Sequence, residues 1–258
     1  MAQSRATDDE FIPSLEKGLA VIALFSAKAP EWTLSQIARE LALTPGSTRR
    51  ILRTLELLGY AVATDGRFRL TARVLNLGFA YLASQPFVTT AGPLLQALAT
   101  KLDATCSIVI LDEREVVYLA RATHRQFEPF YVHVGARLPA YATAPGKILL
   151  AALPSAELDR RLKGWRLQPF TPNTVTTLTA LRTQITEARA RGWAANEQEL
   201  FLGQRSIAVP LSIGAAQTAS LVAAAPVAKV TQAELEIDLL PALQAAADEI
   251  RQIATALL

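Results

Sequence analysis

The chain has 258 residues and a net charge of only +3; 51% of its residues are hydrophobic and 19% are charged. This balance excludes an intrinsically disordered protein and allows one or two globular domains with apolar cores. One cysteine and two histidines exclude an internal disulfide framework and a cysteine- or histidine-rich metal site, and we expect no cofactor. Neither a signal peptide nor an apolar run long enough for a membrane span is visible, so the expectation is a cytoplasmic protein.

Residues 1–12 are polar and are expected to form a loosely held arm before the first helix. Pro13 and Ser14 open that helix in the prediction, with Ser14 as its N-cap. Its buried face is expected to carry Leu15, Leu19, Ile22 and either Leu24 or Phe25. The segment is thus predicted to be the first helix of a small N-terminal domain.

Two short helices joined by a tight corner are predicted between residues 33 and 58. Thr33 precedes the first apolar period and suits an N-cap, and Leu43 lies at the corner. Thr44 followed by Pro45 then restarts a helix, because a proline at the first helical position loses no needed hydrogen bond. One face of this second helix is apolar, at Ile51, Leu52, Leu55 and Leu58.

The opposite face of the second helix is predicted to carry hydroxyl and guanidinium groups. The planar guanidinium group of arginine can donate two hydrogen bonds to phosphate oxygens or to the O6/N7 edge of guanine. Such a face suits the recognition helix of a helix-turn-helix. Arg49 or Arg50 is the expected base reader, and Arg53 is expected to reach phosphate. The alternative is a surface ion pair, for instance between Arg53 and Glu56. The expected DNA contacts of this motif are Ser35, Gln36, Thr44, Gly46, Ser47, Thr48, Arg49, Arg50 and Arg53.

Residues 59–70 are predicted to form a β-hairpin. Asp65-Gly66 is typical of a two-residue type I′ turn, in which both positions have positive φ. Apolar and basic residues then alternate, so Arg67 and Arg69 share the outward face and are expected to touch DNA. A hairpin directly after a helix-turn-helix is the winged form of the motif. The alternative is an ordinary α/β subdomain whose arginines are only solvated. In that case the capped corner between the two helices and the hairpin after them would both be coincidental.

Thr71 is predicted to cap a further helix that has too few charges to be freely solvated. Such a helix packs either on the small domain or on its counterpart in a second subunit, and we favour the second arrangement. Gln85-Pro86 breaks the helical pattern, so the boundary is placed there. The predicted domains are a winged helix-turn-helix over 1–70 with its arm, a linker or dimerisation helix over 71–86, and an effector-binding domain over 87–258.

After this boundary the pattern becomes strand-like. Strands are predicted at 106–112, 116–124, 127–134, 206–211 and 219–226, with Gly214 turning between the last two. Helices are predicted after Pro93, near Pro145, after Ser155 as N-cap, from Thr177 to Gly192, and after Thr231 with a kink near Pro241. Helices that flank an antiparallel sheet give an α+β domain, so α+β is the predicted fold class.

The segment 139–146 combines small residues with a glycine, which lets backbone amides approach a ligand. A helix is predicted to begin just after it, and a helix N-terminus favours an anion. A small organic acid, bound through its carboxylate, is therefore the expected ligand. Its expected contacts include Tyr141 and Thr143. For three side chains on neighbouring strands a solvated or core role is an equal alternative to ligand contact: Arg121, Tyr131 and His133.

Four segments stand out when taken together: FIPSLEKGLAVIALF (11–25), TRRILRTLELLGYAVATDGRFRLTARVL (48–75), GARLPAYATAPGKILLA (135–151) and RSIAVPL (205–211). A series at set spacing accompanies them: Gly192, Asn196, Glu199, Ser206, Ile207 and Ala208. On these motifs nearly the whole chain resembles the IclR family of bacterial transcription regulators, within it the branch for β-ketoadipate and aromatic-acid catabolism. Asn196 stands where the family usually has an acid, and Ser212 where an aromatic residue or histidine is usual.

The resemblance implies a winged helix-turn-helix, a dimerising linker helix and a sensing domain with a profilin- or GAF-like antiparallel sheet. It also implies a homodimer or dimer of dimers on double-stranded DNA with a palindromic operator. The family's effector pocket corresponds here to Ala144, Gly146, Asn196 and Ser206. Two serines that many relatives carry fall near Val222 and Ala224, which favours a flatter, less polar acid such as an aromatic one.

The sequence therefore predicts a DNA-binding regulator of transcription controlled by a small organic acid, aromatic or dicarboxylic. One alternative is a ligand-binding or interaction module whose winged helix does not bind DNA. The other is a hydrolase with Ser206 or Cys106 as nucleophile and His124 or His133 as base. No nucleophile-elbow pattern and no metal-ligand spacing favours the hydrolase, so we expect neither catalytic nor metal-binding residues.

Overall fold

The computed structural model describes residues 11–26, 29–124, 132–213 and 217–256. Contacts divide the chain into two compact units, Met1–Ser84 and Gln85–Leu258. The first unit combines helices with a small sheet, and the second combines a six-stranded antiparallel sheet with helices. The predicted α+β class is therefore confirmed. Within the described ranges, no helix has both the length and the apolar character to cross a membrane.

Over its described residues, 11–26 and 29–84, the first unit contains four helices and a three-stranded sheet. Its helices are α1 (Pro13–Leu24), α2 (Leu34–Glu40), α3 (Pro45–Leu57) and α4 (Leu75–Ala83), the last preceded by a 3₁₀ turn at Ala72–Val74. Its strands are β1 (Trp32–Thr33), β2 (Ala61–Thr64) and β3 (Arg67–Leu70), in the order β1-β3-β2. Strand β1 was not predicted, because two residues are too few to show a periodicity.

The local signals that start α2, α3 and the hairpin are confirmed. The Thr33 hydroxyl accepts from the Gln36 N–H at 3.3 Å, while the Gln36 side chain accepts from the Thr33 N–H at 2.8 Å, which is a capping box. The Thr44 hydroxyl accepts from the Ser47 N–H at 3.2 Å. Asp65 and Gly66 have φ values of 51° and 75°, as a type I′ turn requires.

The sequence was wrong about the N-cap of α1 and about two residues of its buried face, whereas Ile22, Leu24 and Phe25 pack against the core as predicted. The helix begins at Pro13 with Ile12 at the cap position and no side-chain cap, so Ser14 is not the N-cap. Val21 is the fully buried residue, whereas Leu15 and Leu19 are 59% and 54% exposed. Since α1 is apolar on more than one side, periodicity alone does not choose which side packs inward. The core of the unit consists of Val21, Ile37, Leu52, Leu55 and Ala61.

The second unit carries its helices on both faces of one antiparallel sheet. Its helices are α5 (Pro86–Thr90), α6 (Gly92–Leu102), α7 (Ala144–Ala152), α8 (Ser155–Leu162), α9 (Leu178–Arg191), α10 (Gln232–Glu234) and α11 (Leu240–Ala256). Its strands are β4 (Thr105–Asp112), β5 (Glu115–Thr123), β6 (Arg137–Pro139), β7 (Ala194–Glu197), β8 (Gln204–Ile213) and β9 (Gln217–Pro226). They are ordered β6-β5-β4-β9-β8-β7.

Several boundaries in this unit differ from the prediction. Pro154 and not Ser155 occupies the cap position of α8. The short strands β6 and β7 were not predicted. The predicted strand 127–134 falls on undescribed residues up to 131, and residues 132–134 are not a strand. Gly214 also lies outside the described residues.

The last helical segment is interrupted where the sequence predicted a kink. A π-helical turn, Leu235–Leu239, separates α10 from α11, and Pro241 follows in the first turn of α11. Proline has no N–H to donate back along the helix, so the regular hydrogen-bond series cannot continue through it.

Helices α7 and α9 pack on one face of the large sheet with a core that includes Val109, Tyr118, Ala208 and Val222. The alternate residues of the same strands, such as Cys106, Ile108 and Ile207, are also fully buried. Because successive strand residues point to opposite faces, both faces of the sheet are covered. Helices α6 and α11 contact the same sheet and each other.

Candidate DNA-binding surface and ligand cavity

The outward side of α3 presents a row of exposed arginines. Arg49, Arg50 and Arg53 are all exposed. Within the described part of the chain, Arg49 and Arg50 form no ion pair, whereas Arg53 lies 3.8 Å from Glu56. That contact is the ion pair considered as the alternative for Arg53. At 66% exposure of the Arg53 side chain such a pair is weak, and it leaves the guanidinium accessible.

Two polar residues of the motif have structural roles. Thr48 is fully buried, and its hydroxyl donates to the Thr44 carbonyl at 3.1 Å, so its predicted place on the outward face is wrong. The reason is helical spacing: residues 48, 52 and 55 share the side of α3 that packs into the core. Gln36 is half-buried and serves the cap of α2 through its side-chain oxygen.

The hairpin of β2 and β3 presents two further arginines, as its alternation predicted. Arg67 and Arg69 are exposed, while Phe68 and Leu70 are half-buried. Near the starts of α2 and α3, three further residues are exposed, namely Ser35, Thr44 and Gly46. Ser47 is half-buried there. Guanidinium groups together with a helix N-terminus make this a surface of positive potential, suited to phosphates and guanine edges.

The second unit contains a small cavity of about 40 Å³ between the large sheet and the start of α7. Its polar lining consists of Thr105, Ser107, Tyr118, Arg121, Thr143, Asn196, Gln204 and Ser206. Its apolar lining consists of Val132, Leu138, Ala142, Pro145, Leu200, Phe201, Val222 and Ala224. A concave site that combines apolar side chains with convergent polar groups is typical of small-molecule binding.

The register of the sheet explains how the floor of the cavity is built. One cross-strand row runs through Thr123, Thr105, Ala224, Ser206 and Asn196, each opposite the next. The neighbouring row runs through Arg121, Ser107, Val222 and Ala208. The middle of this floor, formed by β9, is therefore apolar, and polar groups lie toward both edges.

A β-bulge in β5 brings Tyr118 to the same face as Arg121. Arg121 is opposite Ser107, but the register shifts between Ile108 and Val109, so that Tyr118 is opposite Val109. Without the extra residue, an interval of three would place the two side chains on opposite faces. Burial raises the pKa of Tyr118 to about 12, against the opposing effect of Arg121, and keeps the phenol neutral near neutral pH.

Three of the predicted effector contacts line this cavity, namely Thr143, Asn196 and Ser206, and so does Arg121. Three others do not: Tyr141, Ala144 and Gly146. Tyr131 lies outside the described residues, and His133 is exposed.

The two residues that correct the prediction most clearly are held by packing. The Tyr141 hydroxyl donates to the Gln168 carbonyl at 2.7 Å, and its ring stacks on Phe170. A Cβ on Gly146 would lie 2.0 Å from the carbonyl oxygen of Ala140. Gly146 thus allows close contact with Ala140 and does not open the backbone to a ligand. Its N–H donates to the Thr143 hydroxyl at 3.2 Å.

The sequence missed a buried polar network beside the cavity. Asn196 donates to the Ala142 carbonyl at 2.6 Å and accepts from the Glu199 N–H at 3.2 Å. Lys147, inside the apolar helix α7, forms a buried ion pair with Glu199. Desolvation lowers the pKa of Lys147, partly offset by the Glu199 carboxylate. A lysine among Ile148, Leu149 and Leu150 was the sequence signal for this pair.

The hydrolase arrangement is not assembled among the described residues. Ser206 lines the cavity, but neither His124 nor His133 does. Cys106 is buried on the alternate face of β4 from Thr105 and Ser107. The described residues also contain no group of three or more His, Cys, Asp or Glu side chains that would hold a metal ion.

Two family models cover most of this chain. Residues 14–65 match the IclR helix-turn-helix domain, and residues 79–252 match the C-terminal domain of bacterial transcriptional regulators of the IclR type. The chain belongs to the IclR family. It is accordingly a DNA-binding transcriptional regulator, and the family is not one of enzymes.

Similar IclR proteins span nearly the whole chain. The Pca regulon regulatory protein of Pseudomonas putida is 37% identical over 250 residues, which cover 96% of this chain and 86% of that protein. A transcriptional regulator from Rhodococcus sp. RHA1 has a crystal structure with a TM-score of 0.85 and 38% identity, covering 96% of this chain and 100% of that one.

One similar IclR structure contains a ligand. The homologue from Microbacterium hydrocarbonoxydans, crystallised with 4-hydroxybenzoate, has a TM-score of 0.78 and 26% identity. The match covers 94% of this chain and 99% of that one. The IclR identity, predicted from the four motif segments, is confirmed by these comparisons.

Proposed function

We propose that this IclR regulator reads its operator with the outward face of α3 and the arginines of the wing. The observation that carries the proposal is the exposure of Arg49 and Arg50 without ion pairs among the described residues. Guanidinium groups that face solvent are available to DNA without first breaking an internal contact. Arg49 or Arg50 contacts a guanine edge, and Arg53 reaches phosphate.

The remaining contacts position the protein on the duplex. Thr44, Gly46 and Ser47 at the start of α3, with Ser35 on α2, meet the phosphate backbone, because a helix N-terminus favours anions. Arg67 and Arg69 of the wing enter a minor groove or contact the backbone. These groups contribute affinity and register, and they carry little sequence information.

A gel-shift titration with duplex DNA from the region upstream of the chain's own gene tests this proposal. Arg49→Ala or Arg50→Ala should weaken binding by about 1–3 kcal/mol and relax the preference at one base pair. Arg53→Ala should weaken binding to all sequences and reduce the salt dependence. Arg182→Ala, an exposed arginine of α9, is the control and should bind normally. Absence of any shift with the intact protein at modest salt would contradict the proposal.

We propose further that the cavity in the second unit binds an aromatic acid such as 4-hydroxybenzoate. Arg121 is the cation among its lining residues and suits the carboxylate. The apolar floor at Val222 and Ala224 suits a ring, and polar groups at Asn196 and Ser206 suit a second substituent. The bound 4-hydroxybenzoate of the Microbacterium homologue supports the same ligand class.

A thermal-shift screen of aromatic and dicarboxylic acids tests the effector proposal. A ligand present at 100 times its dissociation constant should stabilise the protein by about 2.7 kcal/mol. Arg121→Gln should remove most of the response, whereas Arg50→Ala should leave it intact. No response to any aromatic acid would contradict the effector class.

We propose a dimer that pairs through the apolar surface of the first unit. Helix α4 buries none of its residues, and it exposes Leu75, Leu77, Phe79 and Tyr81. Leu15 and Leu19 of α1 add to the same apolar character. A surface this apolar marks a protein interface. Light scattering of the wild-type protein should find a dimer or a tetramer. The double variant Leu75→Glu/Phe79→Glu should shift the protein toward monomer. A monomeric wild-type protein would contradict the proposal.

A further inference from the structure

A buried ion pair lies directly behind one wall of the cavity. Lys147 of α7 is 2% exposed and Glu199 is 5% exposed, and the Lys147 ammonium donates to Glu199 Oε1. The cost of removing two charges from water often exceeds their attraction, so such a pair is weak evidence for stability. A contribution to stability therefore does not by itself explain why this ion pair is present.

Glu199 anchors the loop that carries two side chains of the cavity wall. The loop joins β7 to β8, and Leu200 and Phe201 follow Glu199 directly and line the cavity. The Glu199 carbonyl accepts from the Thr174 hydroxyl at 2.6 Å. Its N–H donates to Asn196, which is also a lining residue. Backbone and side chain of Glu199 are thus both held.

The same anchor reaches a second part of the cavity lining, at the start of α7. Lys147 lies one turn after Thr143, which lines the cavity at the start of α7. Asn196 donates to the Ala142 carbonyl on the approach to that helix. The loop, β7 and the start of α7 are therefore joined through Glu199, Asn196 and Lys147.

From this placement we infer that Lys147 and Glu199 are a positioning pair that sets the affinity of the effector cavity without lining it. The inference rests on the proposed effector function for its biological meaning. A charge-assisted hydrogen bond is directional, whereas apolar contact is not, so the pair fixes one position of the loop. A fixed loop presents Leu200 and Phe201 to the ligand with less ordering left to do on binding.

The variant Lys147→Met/Glu199→Met tests this inference, because it removes both charges at similar side-chain volume and leaves neither charge unpaired. Single variants leave one buried charge uncompensated and are expected to be poorly stable. The double variant should unfold at a temperature near that of the wild-type protein. It should bind 4-hydroxybenzoate about tenfold more weakly, mainly through faster dissociation.

A second readout does not depend on any effector. In the ligand-free protein, the hydrogen-bonded amides of the loop, those of Gln198, Glu199 and Gly203, should exchange about tenfold faster in the double variant, with the sheet unchanged. The control is Arg182→Gln/Asp159→Asn, which neutralises an exposed ion pair of the same unit and should change neither readout. If hydrogen exchange of the loop amides is unchanged in the double variant, the inference is overturned. It is also overturned if hydrogen exchange becomes equally faster throughout the unit, because that result indicates a merely structural role.

The two proposals fail separately. If the wild-type protein binds no aromatic acid, the effector proposal fails, and loop exchange alone decides the positioning role. If the wild-type protein binds 4-hydroxybenzoate and the double variant binds it equally well, the effector proposal stands and the positioning role fails.

Discussion

At the scale of single residues, the cavity shows what a sequence pattern can and cannot give. Asn196 and Ser206 were carried over by position from the resemblance to the IclR family, and Thr143 belongs to the segment of small residues before a predicted helix; all three line the cavity. Tyr118 was missed because its exposure to the cavity depends on a β-bulge, which shifts the register within β5. Alternation predicts faces only while the register is regular, and a bulge reverses it.

Tyr118→Phe should remove a pH-dependent loss of stability. The folded-state pKa of Tyr118 is raised to about 12 from 10.0, so above pH 10 the unfolded state ionises while the folded state stays neutral. The wild-type protein should therefore lose about 2–3 kcal/mol of unfolding free energy relative to the variant between pH 10 and 12. Urea unfolding of both proteins over this range measures the difference, and a constant difference would contradict the burial of the phenol.

Gly146→Ala should destabilise the second unit strongly. The new Cβ would lie 2.0 Å from the Ala140 carbonyl oxygen, so the backbone must shift, at a cost of roughly 1–3 kcal/mol or more. The matched control is Gly92→Ala at the start of α6, where nothing lies within 4 Å of the new Cβ. The control should change the unfolding free energy by less than about 1 kcal/mol. Equal effects in urea unfolding would show that Gly146 is not a packing residue.

At the scale of elements, strong local signals were reliable and weak ones were not. Thr33, Thr44 and the Asp65-Gly66 turn each specify backbone geometry through their own hydrogen bonds or φ preference, so α2, α3 and the wing were predictable. The buried side of α1 was predictable only in part, because the choice between its apolar sides depends on tertiary packing around Val21. The two-residue strand β1 exists only because β3 pairs with it.

Thr33→Ala should weaken the first unit through the start of α2. The substitution removes the hydroxyl that accepts from the Gln36 N–H, half of the capping box, and should cost about 1 kcal/mol. Thr54→Ala in the exposed middle of α3 removes only a hydroxyl bond to the Arg50 carbonyl and should be nearly neutral. Chemical denaturation followed by circular dichroism compares the two, and similar losses would argue against the cap as the stabilising contact.

At the scale of the whole molecule, the first unit carries the candidate DNA-binding surface and the second contains the cavity. The sequence predicts a boundary near residue 86 from the helical motif before it and the strand-like pattern after it, and the two compact units divide between Ser84 and Gln85. It did not predict the small volume of the cavity, which depends on side chains from β4, β5, β7, β8, β9 and the loop before β8. Control by an effector then requires that it bind with different affinity to two arrangements of the protein.

The most direct test measures operator affinity and effector affinity on the same protein. Dissociation constants for upstream duplex DNA are determined with and without saturating 4-hydroxybenzoate, and those for 4-hydroxybenzoate with and without DNA. The account predicts that each ligand changes the affinity of the other by the same factor, because coupling is reciprocal. Binding of both ligands with no change in either constant would contradict it.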